Sequence, residues 1–289
     1  MTVTSGLLTD GCGWRVSEIV CTAGPGDRPY EEFHDATCVA LVTAGTFGYA
    51  CSQGQAFMSS GSLLLGNSGT CYECGHEHAP GDRCISFHFD DDFIAALGEG
   101  ISPAARKERF RLSRVPAVAE TIRLAADIEV CCAEGDARAI GETALRLAGA
   151  AFLLDAGCHR PAAPKSGEER RIGRAIRRIE ADSDSPLGLA ELADEACLSP
   201  YHFLRVFRAV TGSTPYQYLL RTRLQRAAVR LRTSEEPVSS VAFAAGFNDL
   251  STFNRRFRNI MGESPGAWRA GRGCNAAENR SSPTLARRT

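Results

Sequence analysis

Five potential ligands for a soft metal ion lie within fourteen residues of the sequence, in the segment CYECGHEHAPGDRC. Cys-x-x-Cys is a spacing common at metal sites, and His-x-His on a strand places both imidazoles on one face. Thiolates and imidazoles suit Zn²⁺ or another thiophilic ion, and they must lose protons to bind it. The segment therefore predicts a metal site, for which the candidate ligands are Cys71, Cys74, His76, His78 and Cys84.

The same segment is also compatible with roles that involve no metal. The two histidines could lie in a surface loop, and Cys71 and Cys84 could be buried as small apolar groups. No second Cys-x-x-Cys completes a standard zinc module, although His34 and Cys38 could approach from a neighbouring strand. Thiol or redox sensing is a further alternative. A disulfide framework is not expected, because the chain of 289 residues is long and its predicted location is reducing.

A second set of chemically suited residues is an arginine pattern that occurs twice. The segments 190–215 and 241–265 are similar, and arginine guanidinium groups form the forked hydrogen bonds that phosphate and guanine accept. At an offset of fifty residues six positions are identical: Phe203/Phe253, Arg205/Arg255, Phe207/Phe257, Arg208/Arg258, Gly212/Gly262 and Pro215/Pro265.

Each copy has the pattern of a helix, a turn and a second helix. The second helix begins after an N-cap residue, Ser199 or Asp249, and ends at a glycine that a proline follows three residues later. Its phenylalanines at i and i+4 face the core, so its arginines point elsewhere. The resulting helix of about twelve residues fits the major groove of DNA.

A long amphipathic helix over 216–232 separates the two copies. At roughly 1.5 Å per residue it spans about 25 Å. Such a rod could hold two recognition helices about one DNA turn, roughly 34 Å, apart. Two units in one chain would then contact two adjacent major-groove segments. An ordinary helical bundle with a duplicated unit is the alternative.

Charge is distributed unevenly between the two halves of the chain. Residues 1–164 hold 12 basic and 21 acidic residues, whereas residues 165–272 hold 18 and 12. This asymmetry predicts that only the second half meets a polyanion. No stretch approaches the roughly 18 apolar residues that span a bilayer, and no leader sequence is evident at the N-terminus, so we expect a cytoplasmic protein.

Periodicity predicts an α+β chain. Short apolar runs between glycine-rich turns indicate strands over 14–95, and helical periodicity covers 116–156 with a turn at 134–136. We expect four parts: a sensor and dimerisation domain over 1–156, a linker over 157–169, a DNA-binding domain over 170–270 and a disordered tail over 271–289.

The stretch from Pro186 to Trp268 resembles the AraC/XylS family of transcriptional regulators. The similarity is carried by LADEACLSPYHFLRVFRAVTGSTPYQYLLRTRLQRA and by SSVAFAAGFNDLSTFNRRFRNIMGESPGAWR. It implies two helix-turn-helix units joined by a long helix, whose second helices enter the major groove. The residues implied to contact bases or backbone are Tyr201, His202 and Arg205 in the first unit and Asp249, Ser251, Asn254 and Arg255 in the second. Arg208 and Arg258 are expected to hold phosphates.

The first half resembles the cupin-like β barrel that many family members carry, with GSLLLGNSGTCYE at the second cupin motif. Only His34 remains of the first motif's His-x-His, and Tyr72 lies near the place of the second motif's histidine, so an enzymatic cupin is not expected. The resemblance implies a one-component regulator that binds a small effector, with or without a metal. The partners expected are promoter DNA, the effector, a second copy of the chain and RNA polymerase.

A protein of a different class is an alternative, because Cys71-x-x-Cys74 resembles half of the zinc site of Ada-type repair regulators, which accept alkyl groups from DNA. The matching upstream Cys-x-x-x-Cys is absent, since Cys38 and Cys51 are thirteen residues apart. The sequence also has no nucleophile elbow, P-loop or Rossmann fingerprint, and no enzymatic activity is expected.

Overall fold

A computed structural model describes residues 2–29, 31–76, 80–100, 109–157 and 167–278 of the chain. The described residues form two halves. The first, up to residue 157, contains an antiparallel sheet and the first three helices and is called the β half; the second, 167–278, contains only helices and is called the helical half. The strands are β1 (Val3–Gly11), β2 (Trp14–Cys21), β3 (Glu31–Phe33), β4 (Thr37–Cys51), β5 (Gly54–Ser59), β6 (Leu63–Gly66), β7 (Cys71–Gly75), β8 (Asp82–Phe89) and β9 (Arg114–Val115). The helices are α1 (Asp91–Gly100), α2 (Ala119–Glu134), α3 (Ala137–Gly157), α4 (Glu168–Ala181), α5 (Leu189–Glu195), α6 (Pro200–Thr211), α7 (Pro215–Thr233), α8 (Val238–Ala244), α9 (Leu250–Met261) and α10 (Pro265–Glu278).

The strands form a branched sheet in which β4 exchanges its partners. The main path runs β1-β2-β8-β4-β6-β9, and β3, β5 and β7 branch from it. The first part of β4 pairs with β6 and β8, whereas Thr46 to Cys51 pair with β5 and β7. Within the described residues no strand pair closes the main path into a ring. The predicted cupin-like barrel is therefore not confirmed as a closed barrel, because the sheet branches at the middle of β4.

Alternation along β4 produces two separate cores. Val39 and Leu41 face the helices and share a core with Ile128 of α2 and Leu147 of α3. Cys38, Ala40 and Val42 face the opposite way, into a core between the sheet layers. This second core also contains Tyr49 and Cys84, and it packs against Tyr72 and Cys74. The predicted sensor half thus encloses thiols and aromatic hydroxyls.

Several element boundaries differ from the sequence predictions. The predicted strand region begins at residue 14, but β1 precedes it; its residues are mostly exposed, so their pattern lacks a buried face. The turn predicted at 134–136 lies between α2 and α3, where Gly135 adopts a φ of 68°. Helix α10 continues to Glu278, into the segment predicted to be disordered from 271, since a polar composition does not prevent helix formation. Residues 158–166 of the predicted linker and 279–289 of the predicted tail lie outside the described residues.

The helical half contains two helix pairs, α5–α6 and α8–α9, on either side of α7. The first pair packs its core around Phe203 and Phe207, together with α4. The second packs around Phe253 and Phe257, together with Trp268 of α10. Helix α7 contributes to both cores because its 19 residues cross the whole half. Every helix in the described part of the chain falls short of the length and apolarity that a bilayer-spanning segment needs.

The two halves are packed directly against each other. Phe57 of β5 lies in the core of the first pair, and Ile122 and Ala126 of α2 lie in the core of the second pair. Helix α2, which lies in the predicted sensor and dimerisation domain, thus packs inside the chain. The outward face of α3 keeps Leu145 and Leu153 exposed, and dimerisation stays a prediction.

Polar contacts also cross between the halves. The guanidinium of Arg114 donates hydrogen bonds to the carbonyl oxygens of Phe57 at 2.5 Å and of Val210 in α6 at 2.8 Å. The backbone N–H of Gly45 donates to Oε2 of Glu180 in α4 at 3.3 Å. These contacts join both layers of the β half to the helical half.

Candidate nucleic-acid interface

The helices α6 and α9 end in the same way but begin differently. Gly212 and Gly262 follow them with φ angles of 83° and 86°, a conformation that glycine adopts without strain. At the start of α9 the Asp249 carboxylate accepts hydrogen bonds from the backbone N–H groups of Ser251 at 3.2 Å and Thr252 at 2.7 Å. Ser199 at the start of α6 forms no side-chain cap bond. The predicted caps are therefore not equivalent.

We expect Asp249→Ala to lower the thermal midpoint of unfolding, because α9 loses the side chain that caps its N-terminus. Ser199→Ala should leave the midpoint nearly unchanged, because the Ser199 side chain forms no cap bond. The cap bonds hold the pKa of the Asp249 carboxyl below its usual range. The stability that this carboxylate contributes to the folded state is therefore present above its unfolded-state pKa, and it is lost as pH falls through the folded-state pKa. Thermal melts of both variants at neutral and acidic pH measure this. Equal shifts for the two variants would contradict the assignment.

Helices α6 and α9 each have one buried and one exposed face. Phe203, Phe207, Phe253 and Phe257 are fully buried, at 0% relative exposure. The nine residues predicted to contact DNA lie on the other faces: Tyr201, Arg205, Arg208, Asp249, Ser251, Asn254, Arg255 and Arg258 are exposed, and His202 is partly buried. The structure thus leaves these side chains accessible on α6 and at the start and along α9, while their contacts with DNA stay predictions.

The arginines of the helical half fall into two groups. Within the described part of the chain the side chains of Arg205, Arg208 and Arg258 form no hydrogen bond or ion pair, although the backbone carbonyl oxygens of Arg208 and Arg258 accept from the glycines that follow α6 and α9. In contrast, α7 uses its arginines internally: Arg223, for example, donates to the carbonyl oxygens of Ser183 at 2.5 Å and Gly246 at 2.8 Å. The sequence shows only the total positive charge, whereas the structure shows that the α6 and α9 arginines are among those whose side chains are exposed.

The C-terminal arginines of α7 also have internal partners. Arg230 pairs with Glu236 at 2.7 Å, and Arg232 pairs with Asp127 of α2 at 3.3 Å while its guanidinium lies 4.0 Å from the centre of the Trp268 ring. The Arg232 contacts hold α7 to α2 and α10. Arg230 and Arg232 are therefore poor candidates for contacts with a bound nucleic acid.

An opening next to α9 has no counterpart in the sequence predictions. It has a volume of about 260 Å³, and Tyr216, Arg223, Asn248 and Arg256 are among its lining residues. The Tyr216 side chain is 61% exposed although it belongs to the first turn of α7. The sequence shows one difference between the copies at this place. Tyr216 follows the proline that ends the first copy, whereas Gly266 follows the proline that ends the second.

The structure does not bring together the members of the predicted metal-ligand set that it describes. Cys71 is exposed and Cys74 points into the core between the sheet layers, because residues three apart on a strand face opposite sides. Burial raises the pKa of the Cys74 and Cys84 thiols well above the usual value, so both are protonated at neutral pH. His78 lies outside the described residues.

His76 is near two residues that the sequence prediction does not include. Its ligand atoms and those of Cys21 and Asp82 all lie within 4.8 Å of one another. Cys21 is far away in the sequence, and only the pairing of β2 with β8 brings it to this place. Periodicity and local spacing could not have shown this.

His34, which the sequence places near the metal ligands, has other partners. Its Nε2 lies 2.9 Å from the Tyr49 hydroxyl, and its ring stacks on Tyr72 at 4.0 Å between centroids. Burial lowers its pKa to about 4, so the ring is neutral at pH 7. A Cβ on Gly66 would collide with the His34 ring, so only glycine permits this arrangement. These groups form a polar lining inside the β half.

The arrangement of the helical half is that of the helix-turn-helix class. A family model described as a helix-turn-helix domain matches residues 192–271. Regulatory protein SoxS of Salmonella typhimurium is 35% identical over 98 residues, which are 34% of this chain and 92% of SoxS. The chain belongs to the AraC/XylS family of transcriptional regulators.

Two further comparisons show how far this similarity extends. The MmsAB operon regulatory protein of Pseudomonas aeruginosa is 39% identical over 83 residues, which are 29% of this chain but only 27% of that protein. The chain thus matches about a quarter of the length of that regulator. A crystal structure of a transcriptional regulator with an AraC-type DNA-binding domain from Chromobacterium violaceum is 27% identical, with a TM-score of 0.35, over 37% of this chain and 96% of the other. Both of these sequence relatives, SoxS and the MmsAB protein, are named as regulators, which does not favour the alkyl-acceptor alternative.

Proposed function

We propose that this protein is a DNA-binding transcription regulator in which α5–α6 and α8–α9 act as two helix-turn-helix units. In this proposal α6 and α9 lie in adjacent major-groove segments of promoter DNA. The observation that carries it is the pair of exposed arginine faces at equivalent positions of α6 and α9, opposite buried phenylalanines. Family membership supports the same conclusion.

The dimensions of the helical half are compatible with this mode of binding. Helix α7 has 19 residues, or about 28 Å at the usual rise per residue. That length is close to one turn of DNA, roughly 34 Å. We assign Arg205 and Arg255 to base edges, and Arg208 and Arg258, about one turn further along each helix, to phosphates.

We further propose that the β half responds to a small effector or to a soft metal or thiol signal. The support is the core between the sheet layers, where thiols lie beside the His34, Tyr49 and Tyr72 cluster. An effector that binds one conformation more tightly than another would change the DNA-binding equilibrium through the contacts between the halves. Effector binding without any metal is an alternative that the same lining supports, and homodimerisation and contact with RNA polymerase stay predictions.

We expect Arg205→Ala and Arg255→Ala each to relax sequence specificity at one base pair, with a loss of roughly 10–100-fold in affinity for the best site, because a bidentate guanine contact contributes about 1–3 kcal/mol. Arg208→Ala should instead weaken all sites equally and reduce the slope of log affinity against log salt by about 0.9. Gel shifts of the full chain on a duplex selected from a random library, and on its single-base variants, measure both effects.

Arg138→Ala is the matched control, since Arg138 is an exposed arginine of α3 in the other half. It should leave affinity and salt slope unchanged. If the full chain selected no duplex at low salt, the proposed function would be wrong. If all three arginine variants lost affinity uniformly across sites, only the division between base and phosphate contacts would be wrong.

A further inference from the structure

We propose that Cys21, His76 and Asp82 form a binding site for a thiophilic divalent cation such as Zn²⁺. The three residues come from the end of β2, the residue after β7 and the start of β8. A cation bound there would connect three strand ends of the β half. Its effect on regulation rests on the proposed function, whereas the binding itself does not.

The backbone places two of the ligands side by side. Cys21 and Asp82 are direct partners in the antiparallel pairing of β2 with β8, so their side chains project from the same face. His76 reaches the same carboxylate, with its Nε2 2.5 Å from Asp82 Oδ1. All three ligand atoms lie within 4.8 Å of one another. Zinc bonds of about 2.0–2.3 Å need ligand atoms roughly 3.3–3.8 Å apart in a tetrahedron, so small side-chain rotations are sufficient.

The donor set is one that a soft cation prefers. A thiolate, an imidazole and a carboxylate together suit Zn²⁺, and three protein ligands leave a fourth position open. The side chains of His76 and Asp82 are only 3% and 6% exposed, and Cys21 is 6% exposed. A cation bound by these three side chains would therefore be largely shielded from competing water.

Neighbouring groups orient the ligands and favour a positive charge. The Cys84 thiol donates to Asp82 Oδ2 at 3.3 Å, and the backbone N–H of Ala23 donates to the Cys21 sulfur at 3.4 Å. Such second contacts fix the orientation of metal ligands. Burial raises the pKa of the Cys21 thiol, and the carboxylates of Asp82, Glu32 and Asp27 raise it further; the same negative charges attract a cation.

The site adjoins the contact between the halves. Asp82 is paired with Cys21 on one side and with Gly45 of β4 on the other. A Cβ on Gly45 would collide with the Gly81 carbonyl oxygen, so the two strands are closely packed at this place. The Gly45 N–H is the donor to Glu180 of the helical half. A cation that moved Asp82 would therefore act on Gly45, its strand partner, which forms this contact between the halves.

The test is a metal titration of the reduced, chelator-treated full chain. Zn²⁺ is titrated in competition with a chromophoric chelator, and Co²⁺ is used to detect sulfur-to-metal charge transfer in the near ultraviolet. We expect one equivalent to bind and the cobalt complex to show a thiolate band. Cys21→Ser and Asp82→Asn should weaken binding by more than the roughly 10–100-fold typical for loss of an outer partner, and Cys84→Ala, which removes the thiol donor to Asp82, should fall within that range.

Cys71→Ser is the matched control, because Cys71 is an exposed thiol of β7, the strand that precedes His76, and belongs to the set predicted from sequence. It should leave the affinity unchanged. Binding well below one equivalent, a cobalt spectrum without thiolate character, or a Cys71→Ser variant weakened more than Cys21→Ser would overturn the proposal. The wild-type cobalt spectrum decides even where a variant does not fold, and gel shifts of metal-free protein test the DNA-binding proposal separately.

Discussion

Replacing Arg114 with alanine is expected to lower the free energy of unfolding by about 3 kcal/mol. Its guanidinium is buried and donates to two carbonyl oxygens, one of Phe57 in the β half and one of Val210 in the helical half. Charged hydrogen bonds contribute roughly 1.5–3 kcal/mol each, and part of this is offset because a buried charge is also removed. The loss leaves two carbonyl oxygens unsatisfied at the contact between the halves.

Urea unfolding of the full chain, followed by far-ultraviolet circular dichroism, measures this effect. Burial lowers the pKa of Arg114 to about 10, so the group stays charged at neutral pH. Arg109→Ala is the control, since Arg109 is exposed and such substitutions usually change stability by less than about 0.5 kcal/mol. Similar stabilities for the two variants would show that the Arg114 contact contributes nothing.

The second large effect concerns Glu180, the acceptor for Gly45 in the contact between the halves. Burial raises the pKa of its carboxyl from an ordinary value of 4.5 to about 7. The unfolded chain therefore loses this proton first as pH rises, and the folded state binds more protons between these values. Stability from this group is complete below about pH 4.5 and declines by about 3 kcal/mol as pH rises through 7.

Glu180→Gln should remove this loss, making the variant more stable than wild type at about pH 8 and similar at about pH 4. The glutamine Oε1 can accept from the Gly45 N–H while its amide donates to the Tyr218 hydroxyl, which lies 3.1 Å from Oε1 of Glu180 in the wild type. Arg226 and Arg177 favour the charged carboxylate, but burial is the larger effect.

Urea unfolding across this pH range measures the difference between variant and wild type, which cancels the titration of other groups such as His34. Glu142→Gln, an exposed change on α3, serves as control and should give a difference near zero at every pH. A stability difference for Glu180→Gln that did not change with pH would show that the carboxyl is not perturbed.

The sequence alone is sufficient for features that depend on local pattern. The repeated phenylalanines identify the buried faces of α6 and α9, and the glycines after them identify where both helices end. These features follow from the 3.6-residue period and from the conformational freedom of glycine, so they need no knowledge of distant contacts. Family resemblance indicates which helices face DNA, and that assignment stays a prediction.

Features that depend on long-range pairing could not be predicted. Helical periodicity shows that α2 has an apolar face, but it does not show that this face packs on α7 and α9 rather than on a second copy. Residue spacing suggests a Cys-x-x-Cys chelate, whereas the alternation of β7 separates its two thiols. The pairing of Cys21 with Asp82 depends on the order of strands in the sheet.

Because α2 packs beneath the second helix pair, the two pairs differ in the contacts that hold them to the β half. Lifting α8–α9 from the β half would expose Ile122, Ala126 and the apolar groups they cover, at a cost of about 25 cal/mol per Å² of that surface. In the described part of the chain, the β half contributes one buried ring, Phe57, to the core of the first pair. The Arg114 hydrogen bond to the Val210 carbonyl oxygen is a further contact between the β half and that pair. Separating the second pair from the β half would thus mainly expose apolar surface, whereas separating the first pair would also break a buried charged hydrogen bond.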